Sequence, residues 1–240
     1  MPSHMSSIGF PFSTNEEFAD LAMAASTQGE PIQVSGGTYY RWSPGAGVEL
    51  WAQVDQDGKL IGLNPHFGGA ARMRVGLINP IARERDSALD GAFYGWAGAT
   101  GNAPDKGQYP FAFDVPDFKG HEGLALPTIV TVQLAAFAHA LQAFESDEAF
   151  QAGNTYKMGA ESCISSGTFS KPPQSTVIFN GHVLNTAQLT NSHTEHTFYW
   201  ARVRTLGGEY DVVADPEIVR GAIVQGGVIG GSAWLSGRIM

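Results

Sequence analysis

Val48-Glu-Leu-Trp-Ala-Gln-Val54, then Asp55-Gln-Asp-Gly58, then Lys59-Leu-Ile-Gly-Leu63 is the stretch on which the reading of this chain turns. Val48, Leu50, Ala52 and Val54 alternate with Glu49, Trp51 and Gln53, the period of a strand with one face in a core. Asp55–Gly58 is a turn, because aspartate bonds to its own backbone and glycine accepts a positive φ; Lys59–Leu63 then returns as the second arm of a hairpin.

The same grammar extends outward in both directions. Ile32–Val34 and Thr38–Trp42 are short extended runs, and Ser43-Pro-Gly-Ala-Gly47 is a turn. Arg72–Ile78 alternates again, and Ala92–Trp96 and Pro110–Val115 are further strands separated by a Gly/Pro/Asn loop. Ahead of them all, Ser13-Thr-Asn-Glu-Glu-Phe starts a helix. Its hydroxyls can cap the first free N–H groups, Glu16 and Glu17 suit the positive end of the dipole, and Gly29 ends it. Leu134, Phe137, Leu141 and Phe144 form one apolar stripe at i, i+3, i+7 and i+10 and predict a second helix, extended or restarted by Ser146-Asp-Glu-Ala-Phe150. Val130 and Val132 are read as a strand leading into it.

Ser165–Gln174 reads as a linker, and the composition changes beyond it. Residues 1–173 hold 10 basic and 18 acidic residues, whereas 174–240 hold 4 and 5. The tail is read as strands at Thr176–Leu189, Thr197–Leu206, Glu209–Ala214 and Val224–Ile239. The expected fold is therefore α+β, predominantly antiparallel with two helices. Residues 1–170 are expected to form an α+β domain, and 175–240 a small domain whose architecture resembles an OB-like or SH3-like β-barrel.

Composition excludes several classes. A 43% hydrophobic, 11% aromatic chain of 240 residues can bury a core and is not globally disordered. A net charge of −9 opposes charge-driven attachment to DNA or anionic lipid. One cysteine, Cys163, permits no internal disulfide and fits a reducing, cytoplasmic setting. The uncharged stretches 123–144 and 221–237 are too interrupted by polar residues and glycine for membrane spans, and Met1–Met5 does not read as the start of a signal peptide.

Three groups of residues carry chemistry. If the three strands are consecutive neighbours, Glu49 and the arginines Arg72 and Arg74 share a sheet face, and with Trp51 and His66 they can line a pocket for an anionic small molecule or a metal. Phe198, Trp200, Arg202 and Arg204 share a strand face, and aromatic rings beside guanidinium groups are what single-stranded nucleic acid stacks on. His193, Glu195 and His196 offer two imidazoles and a carboxylate to a divalent metal. No complete catalytic or nucleotide motif is present. Asp55–Gly58 lacks the later residues of a calcium loop, residues 101–107 lack the ending of a phosphate loop, and there is no Gly-x-Ser-x-Gly elbow.

The expected function is a soluble, non-catalytic binding or interaction protein without a cofactor, whose partner is a protein or a small molecule rather than nucleic acid or a membrane. The alternatives are a small-molecule or divalent-metal binder, or an enzyme, with its pocket on the N-terminal sheet, and a single-strand nucleic-acid binder through the C-terminal strands.

Overall fold

The computed structural model describes residues 3–153 and 157–240; Met1 and Pro2, part of the leader reading, lie outside it. The first helix, α1 (Asn15–Gln28), begins as its sequence requires. Thr14 accepts from the Glu17 backbone N–H, and the Glu17 carboxylate bonds back to the Thr14 N–H. Strands β1 (Glu30–Val34), β2 (Gly37–Gly45), β3 (Val48–Asp55) and β4 (Leu60–Phe67) follow as a four-stranded antiparallel meander in that order. In the β3–β4 turn, Asp55 Oδ1 accepts from the Asp57 and Lys59 N–H groups at 3.0 and 2.8 Å, and Gly58 supplies φ +79°.

The remaining strands build a second, ten-stranded sheet: β5 (Met73–Ile81), β6 (Ala92–Ala97), β7 (Tyr109–Asp114), β8 (Thr128–Phe144), β9 (Ser162–Ile164), β10 (Thr176–Thr190), β11 (Thr197–Thr205), β12 (Gly208–Ala214), β13 (Val219–Arg220) and β14 (Val228–Ile239). A short helix, α2 (Asp147–Gly153), follows β8. The molecule is thus mostly antiparallel sheet with two helices, and no helix among the described residues is long and apolar enough to cross a membrane.

One expectation is overturned. The stripe Leu134–Phe144 is not helical but lies in β8, a strand of 17 residues. Its residues Val132 to Ala138 are all buried. Leu134, Ala136 and Ala138 face one apolar cluster, while Ala135 and Phe137 face another. A strand covered on both faces loses the alternation that marks a half-exposed one, so helical spacing can occur in it without meaning. The second helix is confined to the segment beginning at Asp147.

Strand β8 also joins segments on either side of the expected linker. It pairs antiparallel with β14 from Val132↔Ile239 to Phe144↔Val228, parallel with β12, and antiparallel with β5. The pairings β8–β12–β11–β10–β14–β8 return to their starting strand, as do β8–β5–β6–β7–β14–β8. In the second circuit β7 and β14 are bridged by the single pair Asp114↔Ser236, at the end of β7.

The apolar interior has two main parts. The larger lies within the ten-stranded sheet, around Phe111, Phe113, Phe179 and Tyr210. The other is sandwiched between the two sheets and α1, where Trp42, Leu50 and Phe67 meet Phe137, Phe198 and Val213. Phe137 is fully buried, with its ring 5.1 Å from that of Trp234. Replacing it, Phe137→Ala, is expected to cost about 3–5 kcal/mol, measured by urea unfolding.

The N-terminal segment is held against the same region by histidine. The His4 ring stacks on Trp234 at 4.5 Å, and its Nε2 lies 2.9 Å from Nε2 of His139. Such an imidazole pair shares one proton and disfavours a second. Burial, with a contribution from His139, lowers the His4 pKa to about 4, and burial lowers that of His139 as well. Both are lower in the folded chain than in the unfolded one. The stability they contribute is therefore complete above their ordinary value near 6.5 and is lost as pH falls toward 4. His4→Phe, which keeps the stacking, is expected to shrink that acid-side loss of melting temperature.

Candidate functional site

Three residues of the expected N-terminal pocket do come together. Glu49 and Trp51 share a face of β3, and His66 stands opposite Glu49 on β4. Glu49 is buried, and the guanidiniums it holds come from outside the expected set. Arg41 reaches it at 2.6 Å and Arg238 at 3.3 Å, while Trp51 Nε1 donates to it at 2.9 Å. The two cations lie over the Trp51 ring at 5.8 and 5.4 Å. Arg72 and Arg74 turn away and donate to the carbonyls of Gly69 and Ala71, and of Ala99 and Gly101. Around Glu49 the two guanidiniums share one carboxylate, and the Nε of Arg41 and of Arg238 are each buried without a hydrogen-bond partner.

His66 begins a chain of buried polar groups. Gln133 Nε2 donates to Phe67 O at 3.1 Å and to Asp211 Oδ2 at 2.9 Å, so its Oε1 is the atom facing His66 Nε2 at 2.8 Å. His66 therefore carries its proton on Nε2, and Nδ1 accepts from the Ser236 hydroxyl at 2.8 Å. Full burial lowers the His66 pKa and keeps the ring neutral. Asp211 is satisfied by four neutral donors: the N–H groups of Ala70 and Ala71, Gln133 Nε2 and Trp200 Nε1. Gly69 is required beside it, because a Cβ there would meet the Asp211 carboxylate. Gln133→Leu would strand the His66 donor and one Asp211 lone pair in the interior. It is expected to lower stability by about 2–4 kcal/mol, read by denaturant unfolding, and to change the His66 ring-nitrogen NMR signals.

Phe198 is fully buried against Phe67, and Trp200 packs at the edge of the same cluster with its indole N–H held by Asp211. Arg204 pairs with Glu161 at 2.7 Å, and Arg202 lies 3.8 Å from Glu209. Phe198 thus presents no open ring face for a base to stack on. His193, Glu195 and His196 occupy the turn between β10 and β11. The His193 ring meets Trp42 edge-on at 4.8 Å, and Glu195 takes φ +61°. Among the described residues, no three His, Cys, Asp or Glu side chains converge as a metal site. Cys163 lies 3.6 Å from the Tyr210 hydroxyl, and burial raises its pKa, which keeps the thiol protonated.

A cavity that reading the sequence missed lies beside the Asp114↔Ser236 bridge between β7 and β14. It has a volume of about 120 Å³ and is lined by Asn64, Arg83, Asp86, Asp90, Asp114 and Trp234, with Gly91 and Ser236 also at its wall. Two of its three carboxylates are fully engaged. Asp114 accepts from Arg83 Nη1 (2.6 Å), Ser175 Oγ (2.8 Å) and Trp234 Nε1 (2.5 Å). Asp90 accepts from Gln53 and Asn64, both at 2.6 Å, and from the Ser87 N–H. Arg83 also donates through Nε to Pro173 O and through Nη2 to Ser175 Oγ. Asp86 differs: its one hydrogen bond is from the Arg83 backbone N–H at 3.1 Å. Its pKa is raised, first by burial and further by the charges of Asp90 and Asp114, even though Arg83 opposes the shift. The only advance signal was the charge-dense run Arg83-Glu-Arg-Asp86-Ser-Ala-Leu-Asp90 in a chain that is just 15% charged.

The chain matches no protein-family model, and comparison with curated proteins and with solved structures finds no match. A functional reading rests on this geometry.

Proposed function

We propose that this is a non-catalytic binding protein that takes a small organic cation in the cavity between β4, β7 and β14. One observation carries the reading. The cavity wall holds three carboxylates against one guanidinium, and Asp86 alone among the three has a carboxylate oxygen without a hydrogen bond from the protein. A positive group beside Asp86 offsets the burial, and the charges of Asp90 and Asp114, that raise its pKa. A hollow of about 120 Å³ matches roughly four water volumes, the size of an alkylammonium or guanidinium head. The neighbouring donors are committed: Trp234 and Arg83 hold Asp114, and Ser236 holds His66. They leave rigid walls rather than a mobile catalytic group, which favours binding over chemistry. On the same reading, the strand circuit β8–β12–β11–β10–β14 is a small OB-like or SH3-like barrel that borrows β8 from the first half of the chain. It serves as the rigid support for β14.

Methylammonium or guanidinium is expected to raise the melting temperature at low salt and pH 7, and Asp86→Asn to abolish the shift. The cation needs the ionised carboxylate, so affinity should fall as pH drops through the raised Asp86 pKa. A melting temperature indifferent to both cations at tens of millimolar would overturn the proposal.

A further inference from the structure

Resting on that cationic site, the structure assigns its ligand class more narrowly: an amine whose charged head meets Asp86 and whose apolar body lies along a neighbouring cleft. This second hollow, of about 360 Å³, is lined by Pro80, Ile81, Ala82, Ala88 and Phe118, with Lys119 at its edge. It shares Arg83, Asp86 and Asp90 with the cavity. A further contact ties the two together. Gly91 lines the cavity, and the space that a Cβ at Gly91 would fill is occupied by the Phe118 ring, which lines the cleft. The absence of a side chain at residue 91 therefore brings the aromatic wall of one hollow against the other.

The two hollows differ in chemistry in a way that matches one amphiphilic molecule. The cavity is polar and net negative. The cleft is mixed: Pro80, Ile81, Ala82, Ala88 and the half-buried Phe118 ring form an apolar wall beside the polar residues it shares with the cavity. Of its two cations, Lys119 is paired with Glu122 at 2.5 Å and Arg83 with Asp114 at 2.6 Å, which offsets their repulsion of an amine. A head the size of methylammonium fits the cavity, and the cleft that shares Asp86 with it gives the substituent an apolar wall to lie on. Aliphatic or aryl-alkyl primary amines fit this pattern. A zwitterionic amino acid does not, since its carboxylate would lie beside Asp86 and Asp90.

The test is a calorimetric or thermal-shift series from methylamine through butylamine to hexylamine, on wild type, Asp86→Asn, Phe118→Ala and Ala88→Gln. Affinity is expected to rise about fourfold per added methylene over the first few carbons, the factor equivalent to about 0.8 kcal/mol each. Phe118→Ala should flatten that dependence while leaving methylamine binding intact. Phe118 also packs on Phe93, with ring centroids 5.3 Å apart. The exposed Ala88→Gln, which narrows the cleft without touching the core, gives the same readout if the first variant folds poorly. Methylamine binding with no dependence on chain length, or a dependence that neither cleft variant changes, would overturn the amphiphilic ligand and leave the cationic site standing. Failure of every amine, methylamine included, would remove the cationic site itself.

Discussion

The antiparallel pairing of β8 with β14 is the constraint from which the rest of the architecture follows. These two long strands run side by side from Val132↔Ile239 to Phe144↔Val228, with a bulge between Ser232 and Ala233. Each then accepts further partners: β12 and β5 on β8, β10 and β7 on β14. Both circuits of strand pairings pass through this seam. Residues 128–144 and 228–239 are far apart in the chain, so closing the seam carries a large loop-closure cost. Apolar side chains on both faces of β8 offset that cost.

The seam also places the polar interior. Gln133 on β8 and Ser236 on β14 both reach His66 on β4, and Gln133 continues to Asp211 on β12. One hydrogen-bonded chain thereby ties the four-stranded sheet to the ten-stranded one. Its members satisfy one another, so the network adds specificity of register without leaving a polar group stranded. The cavity lies beside the same seam. Asp114 and Ser236 form the one bridge between β7 and β14, and both line the cavity with Asp86, Asp90 and Trp234.

What was legible in advance followed from local chemistry. The capped helix at Thr14, the β3–β4 hairpin and the later strands β5, β6, β7, β10, β11, β12 and β14 all carry their signals within a few residues. That His66 faces Glu49 was not legible: the returning strand was read as ending at Leu63, whereas β4 runs on to Phe67 and a register shift between Gln53 and Val54 sets His66 opposite Glu49. The error at β8 had a definite cause: burial on both faces removes the period-two pattern, and spacing alone cannot separate such a strand from a buried helix. The partners of Glu49 were equally hidden. Arg41 is close in sequence, but Arg238 comes from the last strand.

The amino-acid sequence by itself determined the local elements: turns set by Asp and Gly, a cap set by Thr and Glu, and half-exposed strands set by alternation. Each depends on interactions among neighbouring residues, which a linear reading contains. Tertiary structure alone decided which strands meet across long separations, that both faces of β8 are buried, and that Asp86, Asp90, Asp114 and Trp234 line one cavity. Those outcomes depend on contacts between residues as far apart as 64 and 236, and their stability comes from desolvation and from mutual satisfaction of polar groups that no short window of sequence records.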